Sequence, residues 1–110
     1  MTKKLYISLN GKKIIEYERD KRLPGHQRLF LNKMDDDMSR GFTLGGEMIH
    51  QPDENDRMNY IAMKLVQGIL ADNQGLISAM CAYIASRYTA VREIQAWEEG
   101  DQVAITFTFE

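Results

Sequence analysis

The chain reads as an α+β domain, on three observations: an alternating hairpin at each end, helical periodicity between them, and no repeat or linker. It has 110 residues, 44% apolar and 27% charged, the balance of a globular chain with one core. The expected architecture is an antiparallel, four-stranded sheet built from the N- and C-terminal hairpins. About three helices pack on one face, and residues 1–110 form a single domain.

The first hairpin rests on Leu5, Ile7 and Leu9 alternating with Tyr6 and Ser8, followed by Asn10-Gly11. Asparagine and glycine tolerate the positive φ that both central positions of a type I′ turn require. A regular two-residue loop would set Ile7 opposite Ile14 and Tyr6 opposite Ile15. Leu5, Ile7, Leu9 and Ile14 would then share one face. Tyr6, Ile15 and Tyr17 would share the other, which is too apolar for full solvation. Glu18 to Arg22 is all charge and reads as a loop, and Leu23-Pro24-Gly25 is a break.

A helix is predicted over residues 26–40, ended by Gly41. Phe30, Leu31, Met34 and Met38 fall in one stripe about 100° wide. Residues 42–50 read as extended, with Gly45-Gly46 as the bend of a short hairpin or a structured loop. Asp53 is a candidate N-cap for the next helix, with Glu54 and Asp56 in its first turn. Met58, Ile61, Ala62, Leu65, Val66 and Ile69 make its inner stripe, which Met63 and Leu70 widen. Only Tyr60, Lys64 and Gln67 are left facing away.

Asp72 to Gly75 interrupts, and a further helix runs to about Tyr88. It has no charge before Arg87, so it is expected to be covered on both sides, by the chain or by a second copy. The last hairpin pairs residues 91–97 with 102–109. Val103, Ile105, Phe107 and Phe109 alternate with Ala104, Thr106 and Thr108. Ile94 and Ala96 share their inner face, and Trp97 falls on the outer one.

Composition excludes several classes. Cys81 is the only cysteine, so no intrachain disulfide framework exists. No apolar run is long enough for a signal peptide or a membrane span; a reducing cytoplasm is the expected location. Net charge is −2, unevenly spread. Residues 1–28 carry eight Lys or Arg against three acids, and residues 29–110 carry six against thirteen.

Asp35, Asp36 and Asp37 diverge by about 100° per position on a helix and are read as a solvated acidic surface. They do not match the alternating ligands of a calcium loop. With His26, His50 and one cysteine, the chain is short of ligands for a zinc-type metal site. No metal, cofactor or catalytic residue is assigned. Cys81 sits mid-helix without a cationic neighbour and reads as a small core residue.

Three functions remain open. The leading one is a non-catalytic interaction module, self-associating as a homodimer or meeting a protein partner, through Trp97, Tyr6, Ile15 and Tyr17. The second is a small-molecule site or enzyme beside the 42–50 segment, where Glu47, His50 and Asp53 supply the polar groups. The third, least favoured in an acidic chain, is nucleic-acid binding by the basic N-terminal hairpin.

Overall fold

The computed structural model describes residues 4–19, 25–44 and 46–109. In chain order they form β1 (Lys4–Leu9), β2 (Lys12–Glu18), α1 (Gly25–Ser39), β3 (Phe42–Leu44), β4 (Glu47–Ile49), α2 (Glu54–Leu70), α3 (Gln74–Arg87), β5 (Val91–Glu99) and β6 (Gln102–Phe109). The class is α+β, with three helices and a four-stranded sheet of order β2-β1-β5-β6. A two-stranded hairpin, β3-β4, stands apart from it.

The sheet is mixed, which corrects the antiparallel expectation. The two terminal hairpins are each antiparallel, but they meet through their first strands, and β1 runs parallel to β5. A parallel pair needs a long crossover, and everything from β2 to α3 supplies it. Burial explains the order. Leu5, Ile7, Ile94 and Ala96 are buried on the two central strands, while the charged β2 lies at an edge.

A bulge corrects the register of the first hairpin. Asn10 and Gly11 both have positive φ, and Leu9 pairs with Lys12 and Ser8 with Lys13, as a two-residue turn demands. The next pair is Ile7 with Ile15, so Ile14 is the extra residue. An inserted residue restores alternation one place later and exchanges the faces. Ile15 and Tyr17 therefore lie with Leu5 and Ile7 and pack against the core. Ile14, expected inside, is exposed. The hairpin with two apolar faces does not exist.

The helix signals are met locally. Gly41 follows α1 with φ +95°, its N–H donating to Met38 O at 3.0 Å. A Cβ there would lie 2.5 Å from Ile49 O, so glycine is needed twice over. Asp53 caps α2 in a reciprocal box: Asp56 N donates to Asp53 Oδ1, and Asp53 N donates to Asp56 Oδ2. Between α2 and α3 the chain reverses on Asp72, at φ +53°. Asp72 N donates to Ile69 O and Asn73 N to Gly68 O, a Schellman ending, and Asn73 then caps α3.

Six consecutive residues of α3, Met80 to Ala85, are buried. The stretch Met80–Ala85 is thus covered all round by the chain itself. In the first turns of the helix Gly75 and Ser78 are exposed and Leu76, Ile77 and Ala79 only partly buried, so the charge-free run is not covered along its whole length. Arg19 fastens β2 to the far end of α3, donating to Ala85 O and Val91 O. Among the described residues no helix is long and apolar enough to cross a membrane. Lys3, Lys21, Arg22, the Leu23-Pro24 break and Gly45 lie outside the described residues.

Candidate functional site

Three features concentrate chemistry or unsatisfied surface. The first joins α1 to α3. The aspartates diverge as helix geometry requires: Asp36 and Asp37 are exposed, while Asp35 is half-buried and has partners within the chain. It accepts a hydrogen bond from the Tyr83 hydroxyl and another from Arg87 Nε at 3.1 Å. Arg87 Nη2 closes an ion pair with the same carboxylate at 3.0 Å and donates to Asn32 Oδ1.

The Tyr88 ring lies 6.0 Å from that of Tyr83. With Pro52, Glu54 and Arg57 these groups line a shallow cleft of about 380 Å³. Burial pushes both tyrosine hydroxyls up, and for Tyr83 the bond to Asp35 adds to it. Both stay protonated at neutral pH. The Tyr83 proton and those of Arg87 Nε and Nη2 serve groups of the protein itself, so the cluster acts as a tether between α1 and α3.

The second feature is an open cleft of about 450 Å³ lined by α1, β3, α2 and α3. Its floor is soft and apolar: Met34 and Met38 from α1, Leu76 and Met80 from α3, and the stacked rings of Phe42 and Tyr60. Those rings are 4.3 Å apart and inclined at 22°. Tyr60, expected to face away, turns inward because β3 brings Phe42 against α2. Phe30 stands at the mouth, 44% exposed. Gly41, Lys33, Asp37 and Lys64 complete the lining. The Lys64 ammonium lies 5.5 Å from the centroid of the Tyr60 ring.

The third feature is a sheet edge. Strand β2 carries Lys12, Lys13, Glu16 and Glu18 and is broken by its bulge, the usual protection of an edge. The opposite edge, β6, has no charge and no proline from Val103 to Phe109. It pairs without a break against β5 from Gln102 to Thr108. Phe109 at its end is 54% exposed.

The residues singled out in the sequence are dispersed. Asp53 is engaged in the α2 cap, Glu47 is exposed in β4, and His50 is exposed just beyond it. None of the three lines the clefts above. Tyr6 and Trp97 share the outer face of the sheet. Lys13 Nζ sits 4.0 Å above the Tyr6 ring, and Ser8 donates to Glu93 beside it.

Trp97 leans over the first turn, where a Cβ on Gly11 would meet its indole at 3.3 Å. Asn10 reinforces that contact, donating to Glu98 Oε1 and accepting from Glu98 N. Trp97 thus has a structural partner within the chain. The basic residues of the hairpin are similarly used: Lys4 pairs with Glu16, and Arg19 holds α3.

Cys81 is buried, and burial pushes its thiol up to about 12. Among the described residues no group of three His, Cys, Asp or Glu could hold a metal. No family model, no curated protein and no solved structure matches the chain.

Proposed function

We propose that the protein is a non-catalytic interaction module of the cytoplasm, working as a homodimer joined edge to edge through β6. The supporting observation is the contrast between the two edges: β2 is charged and bulged, β6 uncharged and regular. An unguarded edge offers a row of backbone donors and acceptors to another strand. The sequence of β6 also suits itself. A two-fold axis at Thr106 would set Phe107 beside the partner's Ile105 and Phe109 beside the partner's Val103. Thr108 would meet the partner's Ala104, so apolar residues pair on the inner face and small ones on the outer.

Sedimentation velocity across micromolar concentrations tests this, with Thr106→Lys as the probe. Thr106 is exposed, so the substitution leaves the core untouched, yet it would place two ammonium groups together on the axis. The expected result is a dimeric wild type and a monomeric variant, with Thr43→Lys, exposed on β3, remaining dimeric. A monomeric wild type would refute the proposal. So would a Thr106→Lys dimer, and association lost instead in Trp97→Ala would move the interface to the outer face.

A further inference from the structure

We infer that the cleft between α1, β3, α2 and α3 is a binding site for a small amphipathic anion: an apolar chain or ring body ending in a carboxylate. It goes beyond the edge-pairing proposal and is independent of how copies associate.

The volume comes first. About 450 Å³ lies inside the range of small-molecule sites and is too small to seat a helix, whose side-chain-clad cylinder is about 10–12 Å across. The lining argues for an apolar body. Met34, partly buried, offers a flexible, polarisable thioether; Met38 and Met80, each 2% exposed, back the lining with two more, and Phe42 stacks on the partly buried Tyr60 ring. Phe30 is a large aromatic side chain 44% exposed at the entrance. A bound chain would take it out of water, which is favourable for an aromatic ring.

The rim argues for the charge. Lys33 reaches the cleft from α1 and Lys64 from α2, and among the described residues neither makes an ion pair. Asp37 is the single carboxylate of the lining. It lies one helical turn from Lys33, whose field it offsets, but on a different helix from Lys64. The two lysines and one carboxylate give the rim a net charge of +1, against −2 for the whole chain. Lys64 is the group placed to meet the carboxylate.

Titration of the full chain with dodecanoate, monitored by calorimetry and by the methionine methyl resonances, tests this. The expected result is saturable binding of one molecule per chain below the micellar concentration. Met34, Met38 and Met80 resonances shift while that of the exposed Met48 stays. Dodecyltrimethylammonium, with the same tail and the opposite charge, binds about tenfold more weakly. Lys64→Gln lowers the dodecanoate affinity about tenfold and removes the preference, whereas Lys12→Gln on β2 changes neither. Absence of saturable binding, equal affinity for the two amphiphiles, or an unaltered Lys64→Gln variant would each overturn the inference. So would shifts confined to Met48.

Discussion

Ile14 and Ile15 are identical, adjacent residues, and the bulge assigns them opposite fates. Ile14 is exposed as the inserted residue, while Ile15 stands opposite Ile7 and packs against the core. Truncation to alanine separates them. Core Ile→Ala changes cost about 2–5 kcal/mol, and Ile15, half-buried, is expected to lose about 1.5–2.5 kcal/mol. Ile14→Ala trims a side chain already 40% exposed and outside the core, and is expected to cost about 0.5–1 kcal/mol, less than Ile15→Ala. Equilibrium urea unfolding measures both, read as a shift in midpoint at constant slope. An unbulged hairpin reverses the ranking, since Ile14 would then face Ile7. An Ile14→Ala loss equal to or above that of Ile15→Ala would therefore refute the bulge and the face assignment built on it.

Three further outcomes are expected. Tyr83→Phe deletes the donor to Asp35 but leaves Arg87 in place, so a loss of about 1–2 kcal/mol is expected by urea unfolding; no loss would mean the tether is idle. Gly41→Ala introduces both a positive-φ penalty and a Cβ 2.5 Å from Ile49 O, so thermal unfolding should show a loss above about 2 kcal/mol; an unchanged midpoint would contradict that approach. Cys81 has a thiol value of about 12 in the fold against an ordinary 9.0. Its raised value stabilises the fold below pH 9, and this contribution is lost as pH rises toward 12, at up to about 1.4 kcal/mol per pH unit. Cys81→Ala should therefore flatten the alkaline fall in stability measured by urea unfolding at pH 8 to 11, and an equally steep fall would exclude the thiol as its source.

Local chemistry was legible from residues alone wherever it acts within a few positions. The Asn10-Gly11 turn, the stop at Gly41, the Asp53 cap and the alternation of β6 each depend on neighbours in sequence, and each is present. What escaped was set at a distance. The bulge leaves no mark in Lys13-Ile14-Ile15-Glu16, because two adjacent isoleucines satisfy either register and only the core chooses between them. The parallel pairing of β1 with β5 depends on where the helices return the chain, which periodicity does not encode.

The same holds for the sites. Met34 and Met38 were visible as a stripe, but the cleft needs Phe42 and Tyr60 to stack across two elements. Asp35 showed up only as one of three acids, since its partners Tyr83 and Arg87 are 48 and 52 positions away. Glu47, His50 and Asp53 stood out by proximity in sequence, and the fold gives Asp53 to a helix cap instead.

The stitching of the first turn onto β5 also governs the order in which the molecule can be assembled. Asn10 reaches Glu98 across 88 positions, and Ser8 reaches Glu93 across 85. During synthesis the free edge of β1 therefore waits unpaired until β5 has been made. Contacts so remote in sequence slow the search for the native state. Throughout that wait the nascent chain depends on its lysines and on Glu16 and Glu18 to keep β2 from pairing with strangers.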